Sequence, residues 1–490
     1  MEVRTDVAIV GAGFGGSITA LLARQIGLEP VLIERGTHPR FAIGESSTPL
    51  ADLALKQLCE RYDLPRLLPL TQYGSWRREH PEIMRGLKRG FSYFHHRNGE
   101  PFVPSPEHHN EMLVEANPDD EHSDTQWFRA DVDHFFAREA VAAGIPYFDR
   151  ADLTVEDRNP WRLRGQRGGR DLSIEASFLI DASGAGQFLS SALGLGSGAT
   201  GFRTNSRTIY SHFTGVRRWR EMIAERGGRL DDHPFDCDAA ALHHVFDGGW
   251  MWVLRFDNDV VSAGFVVDMD RHPLDESVDP ALEWTTLLTQ FPSISEQFCD
   301  ARMLRPVVRT RRLQRGVSRL VGDDWAMLPH SAAFLDPLHS SGIAITLSGV
   351  ERIIAALESS ERDRRLGEYE AGLRREVDMM DKIIHGCYSA FADFDLMTTF
   401  SMYYFAGAIA SEHRRRDGTH RMEDGFLMAH DDDFRAAVDD GYNTARNILA
   451  SKPVKPADVR KLEQKITLAI DPFNHAGLCD QEKHKMYPWA

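Results

Sequence analysis

The pattern of apolar and polar positions at the start of the chain predicts a strand, a helix and a second strand. Residues 6–10 are an apolar run typical of a buried parallel strand, and residues 17–25 carry apolar side chains at helical spacing. Gly27 follows as a helix stop. Residues 30–33 form a second apolar run, which ends at Glu34. This order of elements predicts a βαβ unit at the start of the fold.

Further along the chain, strand patterns give way to helical ones. Residues 178–181 have the composition of a buried strand, and residues 208–213 and 251–256 alternate as antiparallel strands do. Residues 343–357 and most of 361–442 have helical spacing. We therefore expect an α/β protein whose middle is rich in strands and whose last part is helical.

Composition and charge exclude several classes of protein. The 490 residues are 42% hydrophobic and 27% charged, which is typical of a soluble globular protein. Lys and Arg number 57 and Asp and Glu 73, so the net charge is −16, and an acidic surface disfavours nucleic acids and anionic membranes. The uncharged run over residues 396–411 is shorter than the roughly 20 residues that a membrane span needs, so we expect a buried helix there.

Cysteine and histidine spacing argues against a metal site. No two of the five cysteines have CxxC spacing, which also speaks against a disulfide framework and favours a reducing compartment. The first six residues are charged, unlike a signal peptide, and we expect a cytoplasmic location. Adjacent residues of a strand point to opposite faces and chelate poorly, so we expect no metal at the histidine pairs. These pairs are His95-His96, His108-His109 and His243-His244.

A glycine-rich loop separates the first strand from the first helix. The tight turn requires Gly11, close approach of a pyrophosphate requires Gly13, and close packing of helix and strand requires Gly16. The following helix N-terminus offers unpaired amides and a positive dipole end to phosphates. The dinucleotide-binding segment that we predict comprises Gly11, Gly13, Phe14, Gly15 and Gly16. The alternative is a glycine turn without a ligand.

The nature of the dinucleotide follows from the next acidic residue and from a missing second loop. Glu34 is placed to accept from ribose hydroxyls and would repel a 2′-phosphate, which favours FAD or NAD over NADP. A nicotinamide fold would need a second strand, glycine loop and helix. Its candidate at residues 194–198 lacks an apolar strand before it and an acid-ended strand after it. We therefore expect one dinucleotide, FAD.

Six further segments share a pattern with a known family. They are residues 40–47 (RFAIGESS), 87–91 (LKRGF), 129–131 (RAD), 181–184 (DASG), 249–252 (GWMW) and 336–343 (DPLHSSGI). Together with the glycine loop, these segments resemble the phenolic-type branch of the flavin-dependent halogenases, within the flavoprotein monooxygenase superfamily. The resemblance runs from about residue 5 to about residue 355.

The resemblance implies a fold and a domain arrangement. We expect a Rossmann-like FAD-binding domain, an inserted β-rich substrate domain and a helical C-terminal region. The predicted boundaries are 1–90, 130–195 and 300–360 for the FAD-binding domain, 91–129 and 196–299 for the substrate domain, and 361–490 for the helical region. The implied flavin contacts beyond the loop and Glu34 are Arg40, Ile43, Glu45, Ser46, Ser47, Arg129, Asp181, Asp336, Pro337, Gly342 and Ile343.

The resemblance also implies a mechanism and partners. Reduced FAD from a separate NADH-dependent reductase would react with O2 to form a C4a-hydroperoxide. A halide would then attack this hydroperoxide and release hypohalous acid. One lysine would then relay the oxidant, by a hydrogen bond or as a haloamine, to an aromatic small molecule. Lys88, in the LKRGF segment, is the candidate. The alternative for a lysine between Arg85 and Arg89 is a solvated charge. A homodimer is also possible on this resemblance.

Other segments suggest how halide and substrate would be held. Ser341 and Gly342 are the predicted halide site, although a Ser/Gly turn capping the next helix is an alternative. Trp250 and Trp252 would form a barrier between flavin and substrate, or are core aromatics. The remaining predicted substrate residues are Phe91, His339 and Ser340.

Three departures from the family pattern refine the prediction. His339 stands where indole-modifying members carry a glutamate, which favours a phenolic ring that stabilises its own cation. Leu254-Arg255 replaces Ile-Pro. Pro329-His330 replaces Gly-Asp, and from the loss of that aspartate we expect weak FAD binding. The alternatives to halogenation are a hydroxylase or an alkene reductase of the same superfamily, and a non-catalytic flavin-binding protein.

Overall fold

The computed structural model describes residues 1–196, 201–451 and 454–489. Its strands are β1 (Glu2–Val10), β2 (Pro30–Ile33), β3 (Arg85–Lys88), β4 (Gly90–His96), β5 (Glu111–Glu115), β6 (Asp124–Trp127), β7 (Tyr147–Phe148), β8 (Ala151–Asp157), β9 (Trp161–Arg167), β10 (Arg170–Asp181), β11 (Ser206–Thr214), β12 (Ala240–Phe246), β13 (Gly249–Arg255), β14 (Val261–Asp268), β15 (Arg302–Met303), β16 (Val308–Arg309), β17 (Arg315–Gly316), β18 (Val321–Gly322), β19 (Trp325–Met327), β20 (Ala333–Phe334) and β21 (Met486–Tyr487).

The helices alternate with these strands at first and dominate after residue 342. They are α1 (Phe14–Gln25), α2 (Pro49–Arg61), α3 (Tyr73–Glu79), α4 (Arg129–Ala142), α5 (Phe188–Leu193), α6 (Trp219–Glu225), α7 (Pro280–Thr289), α8 (Pro292–Gln297), α9 (Pro329–Ala332), α10 (Gly342–Leu357), α11 (Arg362–Ala390), α12 (Phe394–Arg416), α13 (Asp432–Ala450) and α14 (Pro456–Ile470).

The first sheet is built around the predicted βαβ unit. Its strands run in the order β18-β19-β10-β1-β2-β7, and β19, β10, β1, β2 and β7 are parallel. The helix α1 connects β1 to β2 and contacts α4 and α10. Because β1, β2 and β10 are parallel, their carboxyl ends meet at one edge, where doubly wound sheets bind ligands. The predicted α/β class with a Rossmann-like sheet is confirmed.

A second sheet is mixed and mainly antiparallel. Its strands run in the order β15-β11-β14-β13-β12-β4-β5-β21, with β16 paired to β11. The strands β15 and β16 lie at residues 302–309 and β21 lies near the C-terminus, so distant segments complete this sheet. The predicted domain boundaries stay a prediction, and part of the candidate loop at 194–198 lies outside the described residues.

The two faces of the second sheet belong to different cores. Trp250 and Trp252 lie in the core that includes the first sheet and the C-terminal helices, whereas Met251 lies in a separate core against α6, α7 and α8. Alternation along β13 produces this division, because successive side chains of a strand point to opposite faces. The two tryptophans therefore share a face, as their spacing predicts.

Two short strands connect the sheets. The strands β3 and β6 pair with each other, and Lys88 lies opposite Asp124 in their register. Ser46 makes a further bridge to Gln126 of β6. A Cβ added at Gly86 would overlap the carbonyl oxygen of Arg255, so β3 packs directly on the backbone that follows β13. This small sheet places Lys88 beside β12 and β13 of the second sheet.

The C-terminal helices cover the molecule beyond α10. The long helix α11 contacts α10, α12 and α13, and α12 also contacts α2. The uncharged run at 396–411 lies within α12, where nearly every side chain is buried, as predicted. None of the helices in the described ranges combines the length and the apolar character of a membrane span.

Candidate active site

The glycine loop after β1 lies tightly against the end of β10. Gly11 has φ +110°, a left-handed conformation that favours glycine, and a Cβ there would overlap the backbone of Ala182. A Cβ at Gly16 would overlap the carbonyl oxygen of Gly11. At Gly15 it would lie 2.9 Å from the side chain of Thr346 in α10. The loop therefore has the close approach of helix and strand that its sequence predicts.

The acid at the end of β2 faces this loop. One carboxylate oxygen of Glu34 accepts a hydrogen bond from the Ala12 amide at 3.1 Å, and the other accepts from the Gly36 amide at 2.8 Å. The Arg40 guanidinium lies 3.3 Å from the same carboxylate. Glu34 and Arg40 thus lie beside the first turn of α1, where a dinucleotide would place its ribose and phosphates.

Arg129 organises the other side of the loop. Its guanidinium donates to the Ile43 and Gly44 carbonyl oxygens at 2.8 and 3.0 Å, and to the Asp133 carboxylate at 2.8 and 2.9 Å. Asp133 is fully buried and also accepts from the Phe14 amide at 3.3 Å. Sequence reasoning missed Asp133, although its position four residues after Arg129 on one helix face was a usable signal.

The segment after Gly44 is buried and largely hydrogen-bonded. The Glu45 carboxylate contacts the His212 ring at 2.8 Å, and the Ser47 amide donates to the Thr125 carbonyl oxygen at 3.0 Å. The Ser46 hydroxyl is buried and has no hydrogen-bond partner among the described residues. A buried hydroxyl without a partner is costly, which is consistent with a ligand that would complete it.

The residues around the loop fit an FAD molecule. The tight loop, the helix N-terminus, the Glu34 carboxylate and the unpartnered Ser46 hydroxyl provide the contacts that a dinucleotide requires. Asp181 lies further back, where its carboxylate accepts from the Ser183 and Leu189 amides at 2.8 Å each. Asp181 shapes the turn after β10, and its contact with flavin stays a prediction.

Lys88 is fully buried, so the alternative of a solvated charge is wrong. Its ammonium group donates to the Ser47 carbonyl oxygen and lies 4.1 Å from the centre of the Phe91 ring. Burial lowers the pKa of Lys88 to about 8, against the opposing effect of the nearby carboxyl groups. The neighbouring Arg89 pairs with Glu115 and Asp120 instead. Lys88 is therefore a sequestered amine of unusually low basicity.

Three buried acids surround this lysine, and sequence reasoning found none of them. Burial raises the pKa of Asp124 to about 6, the pKa of Glu412 to about 8, and the pKa of Asp52 well above its usual range. The Asp52 carboxyl accepts from the Ser47 hydroxyl at 2.5 Å. The three come from β6, α12 and α2, so no local pattern links them.

A hydrogen-bond network joins the turn before α10 to the predicted barrier. The buried Asp336 carboxylate accepts from the Ser206 hydroxyl at 2.6 Å, the Tyr388 hydroxyl at 2.7 Å and the Trp250 indole at 3.3 Å. Burial raises the pKa of Asp336 to about 6. The Trp252 ring lies 6.1 Å from the Trp250 ring, and both are buried. Asp336 therefore holds Trp250 in place, and the barrier role stays a prediction.

The turn before α10 exposes the amides of a helix N-terminus. The Ser340 amide donates to the Pro337 carbonyl oxygen at 2.9 Å, and Ser340 has φ +53°. Ser341 is the N-cap residue, but its hydroxyl makes no capping hydrogen bond. The amides of Gly342 and Ile343, in the first turn of α10, lack intrahelical partners as at any helix start. The alternative of a turn capped by a serine side chain is therefore wrong as regards the cap, because Ser341 precedes the helix but its hydroxyl does not cap it. The halide site stays a prediction.

His339 lies among aromatic side chains rather than beside an acid. Its ring is stacked on the Tyr404 ring with centroids 4.5 Å apart, and its Nδ1 lies 3.5 Å from the Tyr93 hydroxyl. Burial lowers the pKa of His339 to about 3, so the ring is neutral at physiological pH. His339 can exchange hydrogen bonds but supplies no charge.

A small pocket lies next to this aromatic group. Tyr404, Phe405 and Glu412 of α12 line one side, and Phe91 lines the other. Trp489 lies at the same pocket, near the end of the chain. The Phe91 ring lines the pocket and also lies 4.1 Å from the Lys88 ammonium group. The pocket therefore brings an aromatic-lined space near the buried amine.

Two departures from the family pattern have structural explanations. Arg255, at the end of β13, pairs with Asp238 at 2.8 Å and donates to the carbonyl oxygens of Val216 and Arg217. His330 is half-buried and lies against Gly342, and its Nδ1 lies 3.3 Å from the Thr346 hydroxyl. Arg255 thus stabilises a strand end, and His330 occupies space beside the turn before α10.

Comparison with known proteins assigns the chain to a family. The sequence model of the tryptophan halogenase family matches residues 126–396. Monodechloroaminopyrrolnitrin halogenase PrnC from Pseudomonas fluorescens is 30% identical over 84% of this chain and 72% of that protein. Tetracycline 7-halogenase from Kitasatospora aureofaciens is 26% identical over 99% of this chain and 90% of that protein.

A solved structure shares the fold along almost the whole chain. The halogenase PltM, in complex with phloroglucinol and FAD, superposes with a TM-score of 0.86 at 22% identity and covers 98% of both chains. Sequence and structure therefore agree with the resemblance that the motifs predict. The chain belongs to the tryptophan halogenase family and is a flavin-dependent halogenase.

Proposed function

We propose that this halogenase chlorinates or brominates an activated, phenolic aromatic molecule, and that Lys88 carries the oxidised halogen to it. The chemistry that FAD supplies when bound and reduced is the oxidation of a halide ion by O2 to hypohalous acid, with release of water. The reduced cofactor would come from a separate NADH-dependent reductase. The observation that carries the proposal is a fully buried lysine of lowered pKa next to an aromatic-lined pocket.

The role of Lys88 follows from its protonation. The neutral amine attacks the halogen of hypohalous acid, so an N–halogen bond forms and water leaves. The aromatic ring then takes the halogen, and the ring proton returns to the nitrogen. An ammonium cannot attack in this way, and burial makes the amine available near neutral pH. The Ser47 carbonyl oxygen orients the group, because it accepts its hydrogen bond.

The substrate class follows from what surrounds the pocket. Phe91, Tyr404 and Phe405 line the pocket with flat apolar faces, which suit aromatic rather than strongly polar molecules. The neutral His339 offers no carboxylate to stabilise a cationic ring intermediate. A phenol stabilises that cation through its own oxygen, so it needs less assistance. PltM binds phloroglucinol, a phenol, in its crystal structure, which supports the same class here.

A halide-dependent product assay with two lysine variants tests this function. Enzyme, reductase, NADH, FAD and O2 are incubated with chloride or bromide and a panel of phenols, and products are identified by mass spectrometry. Lys88→Met should form no halogenated product while FAD binding and NADH-driven peroxide release persist. Lys56→Met is the matched control, because Lys56 is exposed on α2 and should leave the yield unchanged.

Each other result has a definite meaning. Full halogenation by Lys88→Met would show that Lys88 does not carry the oxidised halogen to the substrate. Products that gain oxygen without halogen would contradict the phenol halogenation itself. Halogenation of indoles in preference to phenols would overturn the substrate class and leave the role of Lys88 intact.

A further inference from the structure

His108 and Glu111, three positions apart, meet the distant His233 beside the start of β5 in the second sheet. His108 lies in the connection between β4 and β5, Glu111 is the first residue of β5, and His233 lies between α6 and β12. Their side chains are 3%, 1% and 0% exposed. A buried carboxylate between two buried imidazoles needs a compensating positive charge, either a protonated imidazole or a bound cation.

The distances match the spacing of metal ligands. His108 Nδ1 lies 3.4 Å from one oxygen of Glu111, and His233 Nε2 lies 3.1 Å from the other. One ligand atom from each residue lies within 4.8 Å of the other two. Ligands 2.0–2.1 Å from a tetrahedral zinc ion are roughly 3.3 Å apart, so small side-chain rotations would bring all three into range.

Hydrogen bonding at His108 also favours a metal site. Its Nδ1 is buried and has no hydrogen-bond partner among the described residues, whereas its Nε2 lies 3.2 Å from the Asp232 carboxylate. A histidine that binds a metal through one nitrogen usually donates from the other to a carboxylate, which fixes the ring. His108 therefore presents a free nitrogen toward Glu111, and Asp232 holds the ring in that orientation.

We propose that His108, Glu111 and His233 bind one divalent cation of the zinc type, with Asp232 as a positioning residue. Two imidazole nitrogens and a carboxylate form a ligand set that suits zinc, and water would occupy the fourth position. The ion would fasten the segment before β5 to the segment before β12, both of which border the second sheet.

This site departs from the expectation drawn from the histidine pairs. His109 is 69% exposed and pairs with Glu107, so the pair does not chelate as a pair. Only His108 takes part, and its partner His233 is 125 positions away in the sequence. The competing arrangement is an ion pair in which Glu111 and Asp232 raise the pKa of His108 and hold its proton. The two arrangements differ in whether the protein binds zinc.

Zinc binding by the full chain tests the proposal directly. The purified protein is treated with chelator, equilibrated with zinc sulfate, desalted and analysed for bound metal, and its thermal unfolding is followed with and without zinc. We expect one zinc per chain and a higher unfolding temperature with the metal. Cobalt(II) should replace it and give the absorption of a tetrahedral site.

Variants separate this site from adventitious binding. His108→Gln and His233→Gln should abolish stoichiometric zinc and its effect on unfolding, while His109→Gln should retain both. Asp232→Asn, at the partly exposed positioning residue, should weaken zinc binding by about 10–100-fold without loss of folding. Wild-type protein without stoichiometric zinc, or His108→Gln with undiminished zinc, would overturn the proposal in favour of the ion pair.

Discussion

Halogenation by this enzyme should increase with pH until the pKa of Lys88 is reached. With a pKa of about 8, about one Lys88 in ten is an amine at pH 7, and the amine fraction falls about tenfold for each pH unit below that. A lysine with an ordinary pKa of 10.5 would provide about one amine in 3,000 at pH 7. Burial therefore raises the fraction of Lys88 in the amine form at pH 7 by about 300-fold.

The sharpest perturbation is Asp124→Asn. Burial disfavours the ammonium form of Lys88, whereas Asp124, which lies opposite it across β3 and β6, favours that form. Removing this carboxylate leaves Asp52 and Glu412 as the remaining acids near the amine. We expect the pKa of Lys88 to fall by about one unit, so the midpoint of the activity profile moves toward pH 7.

The assay follows halogenated product in single turnovers from pH 5.5 to 9.5. FAD is reduced by light, so the reductase does not limit the rate, and Lys88→Met gives the background at each pH. Hypohalous acid itself ionises in this pH range and affects the profile of every variant alike. The test is therefore the difference in pH midpoint between Asp124→Asn and the wild type. Asp120→Asn is the matched control, because Asp120 is exposed and pairs with Arg89.

Two results would contradict the attack by a neutral Lys88 amine. A midpoint that is the same in Asp124→Asn and the wild type would show that Lys88 does not titrate in the observed step. A fall in activity at high pH whose midpoint is lower in Asp124→Asn than in the wild type would show that the ammonium acts as a hydrogen-bond donor and the amine does not attack.

Three further substitutions test the surrounding structure. Gly11→Ala should weaken FAD binding at least tenfold in a fluorescence titration, because its Cβ would overlap the backbone of Ala182. Gly367→Ala, on an open helix surface, should leave FAD binding unchanged. Tyr388→Phe removes a donor from the buried Asp336 and should lower the free energy of unfolding in urea by about 1–3 kcal/mol, with a smaller loss contradicting the network. Arg255→Met should lower it by about 3–5 kcal/mol, because a buried aspartate loses its partner; retained stability would show that this arginine is dispensable.

The local motifs were predictable because their causes are local. The glycine loop, Glu34 and the first βαβ unit depend on residues that follow one another within a single supersecondary structure. The helix after residue 342 begins within one residue of its predicted start, because a turn and an apolar periodicity coincide there.

The buried charges were not predictable, because their causes are tertiary. Asp52, Asp124 and Glu412 are separated by up to 360 positions, so no local spacing links them. Lys88 itself has arginines on both sides, and only the fold turns it inward while Arg89 reaches exposed acids. The role of Asp336 is equally hidden, since Trp250 and Tyr388 meet it from separate elements.

The pairing of β21 with β5 has a consequence for how the enzyme matures. Met486 and Tyr487 cover an edge of the second sheet, and Trp489 reaches the pocket beside Phe91. During synthesis these residues leave the ribosome after every other strand of that sheet. Until then the β5 edge offers unpaired backbone groups to other nascent chains. We therefore expect truncations that remove residues 486 and 487 to leave this edge open and to promote aggregation during expression.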